Sequence, residues 1–145
     1  MPLDPNPIKD ILYRTTARFL TLRPNAVMVD DRPRERVEAR ILAHGSARSL
    51  YRGRRPCCRS LDGLESIEHK SCEACVDLKN CTPQVRLHLL IEQRPYQLLL
   101  AYTSAKNFLL YVQALAAQGL DVHNVVTAIT ITDRGSWGEA RFQRA

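Results

Sequence analysis

The stretch TSAKNFLLYVQALAAQGLDVHNVVTAITITDRGSWGEARFQ, residues 103–143, changes its hydrophobic period part way along, and that change decides the fold class. Up to Gly119 the apolar residues Phe108, Leu109, Val112, Leu115 and Ala116 fall at i, i+1, i+4, i+7 and i+8. That spacing is one face of a helix, with Thr103 or Ser104 available as its cap and Gly119 as its stop. Beyond it, VVTAITITD (125–133) is β-branched and alternating, RGSWG makes a turn, and EARFQ (139–143) reads as a last short strand. One helix therefore precedes a terminal hairpin.

Towards the amino terminus the signals are all β. QVRLHLLIE (84–92) and YQLLLA (96–101) are apolar strands separated by Gln93-Arg94-Pro95, a hairpin. Further back, VEARILAHG (37–45) alternates as a strand and SLYRG begins a second, followed by a cysteine-rich segment with Asp62-Gly63 as a turn signal. This order predicts a mainly β domain over residues 31–145. Its architecture is expected to be a five-stranded Greek-key barrel of the OB type, with one helix and an insert at about 57–81. The first 30 residues mix Pro2, Pro5, Pro7 and Pro24 with apolar patches such as ILYRTTARFLTL and lack a sustained period. They read as an amino-terminal arm holding one short helix or strand at most.

A chain of 145 residues with 45% hydrophobic content can build one ordinary core. MPLDPNPIKDIL has no basic region followed by an apolar run, and no run approaches the roughly 20 apolar residues that cross a bilayer. The expectation is a protein without a membrane segment, located in the cytoplasm. The net charge of +6 is unevenly spread. Residues 1–60 carry 13 Lys and Arg against 6 Asp and Glu (net +7), and residues 61–145 carry 8 against 9 (net −1). Twelve of the 13 cations are arginines, and the densest run is Arg48, Arg52, Arg54, Arg55 and Arg59, with Tyr51 among them. Arginine binds phosphate with two donors and stacks on bases, so this run points to a polyanionic partner.

All five cysteines lie between Cys57 and Cys81. In a reducing compartment, clustered thiols in odd number fit a metal site better than a disulfide set. Cys72-Glu-Ala-Cys75 has the CxxC spacing that aims two thiolates at one Zn²⁺, and Cys81 follows after five residues. Cys57 or Cys58 can supply the fourth ligand, and His69 is an alternate through H-x2-C-x2-C. Four thiolates make a closed, structural site, which orders a polar segment that has too few apolar residues to pack alone. His44, His88 and His123 are scattered and read as structural histidines. Without a Ser-His-Asp pattern, phosphate-binding glycine loop or HExxH, the chain is not expected to be an enzyme.

The motifs CRSLDG (58–63), CEAC (72–75), Cys81 followed by an apolar strand, TSAKNFLLYVQAL (103–115), and VVTAITIT with its glycine-containing turn occur in an order that resembles a known family. That family is the phage and mobile-element single-stranded-DNA-binding proteins in which a zinc ribbon is inserted into an OB-fold, and the resemblance covers about residues 36–143. It implies that Cys58, opening the CRS-DG motif, is the first ligand, with Cys72, Cys75 and Cys81 completing the structural zinc site. It also implies binding of single-stranded DNA across the face of strands 2 and 3 and between the loops joining strands 1–2 and 4–5. Arg48, Tyr51, Arg52, Arg54, Arg55 and Arg59 stand at one of these places. Trp137, the sole tryptophan, stands at the other, while Tyr96, Tyr102, Phe108 and Tyr111 read as core or helix packing. The expected role is non-enzymatic, largely sequence-independent binding in replication, recombination or transfer of a phage or mobile element. Partners would be single-stranded DNA, replication or recombination proteins and, through the arm, a second copy of the chain. The alternative is a zinc-containing module that binds RNA or docks on a protein.

Overall fold

In the computed structural model, which describes residues 18–52, 55–60 and 80–145, the chain opens with four short strands. They are β1 (Arg18–Phe19), β2 (Thr21–Arg23), β3 (Ala26–Val29) and β4 (Arg32–Arg34). The 17-residue β5 (Arg36–Arg52) and β6 (Arg55–Ser60) follow, then the hairpin β7 (Thr82–Ile91) and β8 (Arg94–Ala101). The helix α1 (Tyr102–Ala117), a 3-10 turn (Val122–Asn124), β9 (Val126–Asp133) and β10 (Gly138–Arg144) complete the chain. The fold is mainly β with one long helix among the described residues. The main sheet runs β1-β8-β7-β5-β9-β10, with β6 paired to β5, and β2-β3-β4 form a second, three-stranded sheet.

The two strands expected from VEARILAHG and SLYRG are one. β5 pairs with β9 through Arg36–Arg40, with β7 through Arg40–Ser49 and with β6 through Arg48–Arg52. A register shift between Ile41 and Ala43 leaves Leu42 as the extra residue, and such a bulge bends a strand and increases its twist. Val37, Ala39 and Ile41 point from its first half into the core, where they meet Leu87, Leu89, Leu98, Leu100 and Ile129.

The hairpin β7–β8 forms as expected, but its turn is Glu92-Gln93, both with positive φ (51° and 66°), rather than Gln93-Arg94-Pro95. Two residues in the left-handed region match the twist of the flanking strands, and no glycine or asparagine marked them. Pro95 instead lies in β8 opposite Leu90. On α1, Ser104, Phe108, Tyr111 and Leu115 are buried, whereas Leu109 and Leu110 are exposed, so the buried face is rotated from the expected one. Ser104 is not the cap: its Oγ accepts from the Ala140 N–H (2.9 Å), and Asn107 Nδ2 donates to the Ala140 carbonyl (3.0 Å), stapling α1 to β10. Gly119, at φ 75°, ends the helix as expected. Tyr96, Phe108 and Tyr111 are buried, but Tyr102 is 72% exposed and is not core.

Two further expectations need correction. Residues 18–30 were read as part of an arm, yet Leu20, Val27 and Val29 lie in the same core as β5 and β7. The Asp30-Asp31 turn, again with two positive φ angles, ties this region down. Asp30 accepts a hydrogen bond from the Tyr96 hydroxyl (2.6 Å), and that bond, with burial, pushes the phenol above its ordinary 10.0. Residues 1–17 lie outside the described residues. Secondly, the five strands do not close into a barrel: β8 and β10 make no ladder with each other. The seam is occupied by residues 18–23. β1 adds to β8 in parallel (Arg18↔Tyr96, Phe19↔Gln97), the Leu20 N–H donates to the Gln97 carbonyl (2.7 Å), and β2 runs against the start of β10.

This seam explains Gly138. A Cβ there would lie inside contact distance of the Arg23 carbonyl oxygen and 2.7 Å from Ile131 Cγ2. Gly138→Ala should therefore cost about 1–3 kcal/mol by overpacking against backbone. Urea unfolding of the purified variant checks this, and wild-type stability would show that β2 is free to move away from β10.

Candidate nucleic-acid interface

The arginine run occupies a two-stranded ribbon. The β5–β7 ladder ends at Ser49↔Thr82, and β5 continues paired with β6: Arg48↔Ser60, Ser49↔Arg59, Leu50↔Cys58, Tyr51↔Pro56 and Arg52↔Arg55. Arg48, Tyr51, Arg52, Arg55 and Arg59 all belong to this ladder, and Arg54 lies outside the described residues. Like charges directly opposite one another destabilise a ladder, and Arg52 faces Arg55.

The same ladder locates two of the expected metal ligands. Cys58 is the register partner of Leu50, and the shift between Leu50 and Tyr51 leaves Cys57 as the bulged residue. Cys81 precedes Thr82, whose partner is Ser49, so it stands level with Leu50 on the opposite flank of β5. Both roots of the cysteine segment are thus held at one level of β5, about two inter-strand spacings or 10 Å apart. Cys72, Cys75 and the alternate His69 lie outside the described residues. Among the described residues no group of three or more His, Cys, Asp or Glu is placed to hold a metal ion.

Trp137 is 45% exposed in the turn between β9 and β10. The turn is built by local bonds: the Arg134 N–H donates to the Trp137 carbonyl (3.0 Å) and the Gly135 N–H to Asp133 Oδ1 (2.7 Å), with Gly135 at φ 90°. Glu139, only 3% exposed in its side chain, braces it from behind. Its carboxylate is 3.3 Å from Arg134 and 2.6 Å from Arg141. Trp137 borders a groove of about 460 Å³ whose walls include Phe19, Leu20, Leu22, Leu98 and Leu99. Sequence reasoning missed Phe19, Glu139 and the groove. The only signal for Phe19 was its place beside Leu20 in a short apolar patch without a period.

The face of β7 and β8 that points away from the core is less open than the resemblance implied. Gln84, His88 and Gln97 alternate with core residues there and are buried, and Ser49 donates to Gln84 Oε1 at 2.6 Å. Trp137, by contrast, is exposed at the end of the β9–β10 hairpin.

His44 and His123 pair with each other, Nδ1 to Nε2 at 3.2 Å, and His123 Nδ1 is 3.1 Å from Asp121 Oδ1. If the Asp121 contact fixes the proton on His123 Nδ1, His123 Nε2 accepts and His44 Nδ1 donates. Burial, with His123 second, lowers the His44 pKa below its ordinary 6.5. A depressed histidine binds its proton more readily in the unfolded chain, so its contribution to stability is full above pH 6.5 and is lost as the pH falls towards the folded value. Urea unfolding between pH 7.5 and 5 should show this loss in the wild type, and His44→Phe, which keeps a ring against Phe108, should flatten it. An equally steep profile in the variant would assign the dependence to other groups.

No family model, curated protein or solved structure matches the chain. No described helix is long and apolar enough to cross a membrane.

Proposed function

We propose that this chain is a non-enzymatic, largely sequence-independent binder of single-stranded nucleic acid, DNA in the first place. On this reading the fold is a partly open variant of the OB architecture. The support is the strand order β8-β7-β5-β9-β10 with the helix between β8 and β9, that is, third, second, first, fourth, fifth along the five long strands. The observation that carries the functional reading is the ribbon. Four arginines and Tyr51 share one short ladder in which Arg52 opposes Arg55, an arrangement suited to phosphates and bases. Replication, recombination or transfer of mobile DNA is the setting that the family resemblance implies.

One observation favours a second reading, a module that docks on a protein. Tyr102, Leu109 and Leu110 on α1 are exposed and border an apolar groove with Pro83 and Val85. Salt separates the two readings. Binding through phosphates weakens steeply with salt as counterions are released, with a slope that falls by about one for each contact removed. Titrating labelled single- and double-stranded DNA and RNA at two salt concentrations should give tight, salt-sensitive binding to the single strands. Replacing Arg52, Arg54 and Arg55 together should weaken it for all sequences alike and flatten the slope. A triple variant with unchanged affinity and slope would remove the ribbon from the interface.

A structural zinc completes the proposal, held by Cys58, Cys72, Cys75 and Cys81. The two roots of the cysteine segment at one level of β5, and the register position of Cys58 against the bulged Cys57, support this set. Zinc would lend its binding free energy to the ordering of the segment. Metal analysis should return one zinc per chain, and Cys58→Ser should lose affinity where Cys57→Ser keeps it. Zinc-free protein from a chelator-free preparation would end this part of the proposal.

A further inference from the structure

We infer that Phe19 is a second base-stacking platform, so that the groove between β1 and the β9–β10 turn seats unpaired nucleobases. The inference rests on the reading of the chain as a binder of single-stranded nucleic acid and adds to it a seat contributed by the amino-terminal strand. Phe19 and Trp137 are 42% and 45% exposed, and both border one groove of about 460 Å³ lined by leucines together with Thr21, Gln84 and Ser104. Neither ring is exposed on a loosely tethered segment. β1 is hydrogen-bonded to β8, and Leu20 next to Phe19 is 5% exposed and anchored in the core. On the other wall, the packing of Gly138 against the Arg23 carbonyl fixes how closely the Trp137 turn approaches β2.

The chemistry selects the occupant. Two exposed aromatic side chains match flat, apolar faces, of which each nucleobase offers two, and the polar Thr21, Gln84 and Ser104 beside the leucines match the polar edges of a base. The segments that wall the groove also carry Arg18, Arg23, Arg134 and Arg141, against the carboxylates of Asp30, Asp133 and Glu139. A ligand with phosphates between its flat faces suits this mixture better than an uncharged one. Paired bases present only their edges, so the seat selects unpaired strands and is indifferent to sequence.

The test uses the full chain and labelled oligo-dT, with a blunt duplex as competitor. Phe19→Ala and Phe19→Leu should each weaken single-strand binding by roughly 5- to 100-fold, the effect of losing one stacking platform, while Phe19→Tyr keeps it. Leucine separates stacking from apolar packing, because it keeps volume and lacks a flat face. In the double variant Phe19→Trp with Trp137→Phe, the indole introduced at position 19 should be quenched when oligo-dT binds. If the wild type binds single strands and Phe19→Ala or Phe19→Leu binds equally well, or the introduced indole does not respond, the inference is wrong and the proposed function stands. If the wild type binds no single-stranded oligonucleotide, both fall together.

Discussion

The whole sheet hangs on the backbone of β5. Seventeen consecutive residues in one strand carry more hydrogen-bonding groups than a single neighbour can satisfy, and buried backbone groups must be paired. β5 solves this by changing partners along its length: β9 at the start, β7 through the middle, β6 at the end. The bulge at Leu42 falls where β9 leaves, and it turns the strand so that the second half faces different neighbours. Between Arg40 and Arg48 the flank that carries β9 and then β6 pairs with no strand among the described residues, and there His44 meets His123 of the 3-10 turn. The histidine pair therefore ties the middle of β5 to the 3-10 turn rather than standing as an isolated surface feature.

What could be read from the sequence follows from how local each determinant is. The helix, the β7–β8 hairpin and the β9–β10 hairpin are built of elements of 7–16 residues whose periods declare themselves locally, and all three appear close to their expected bounds. Their details depended on tertiary partners and were not legible. Ser104 looked like a cap because a serine at a helix start usually is one, but the Ala140 N–H took its oxygen. Leu109 looked buried because it is apolar, but the face set by Phe108, Tyr111 and Leu115 left it outside. The strands at residues 18–34 are two to four residues long, too short for any period to declare itself, and they are held by long-range contacts such as Tyr96 with Asp30. The failure of the barrel to close has the same origin, since nothing in the local sequence of β8 or β10 says that residues 18–23 will lie between them.

For the candidate site the legible part was composition and the illegible part was juxtaposition. Arginine density and a lone tryptophan in a polar turn were plain in the sequence, and the structure puts the former on one ladder and the latter at the rim of a groove. The partnership of Trp137 with Phe19, more than 110 residues away, required the fold. So did the bracing of the turn by Glu139, whose two arginine partners could equally have been read as surface charges.

Glu139 also shows why a buried carboxylate belongs at such a site. A charge that is 3% exposed needs compensation, and Arg134 and Arg141 supply it from the turn and from the strand. Removing the carboxylate would free both guanidinium groups and slacken the turn, whereas removing one arginine would leave the buried charge with the other as its single partner. The pair therefore holds the turn in one geometry before any ligand arrives. A stacking platform gains most from this arrangement, because stacking returns only about 1–3 kcal/mol per base and immobilising a loose side chain on binding would consume about 0.5–1.5 kcal/mol of it. The bonds inside the turn, the glycine pressed on the Arg23 carbonyl and the Glu139 brace all act in that direction, so on the proposed reading the backbone that carries Trp137 is set by folding rather than by binding.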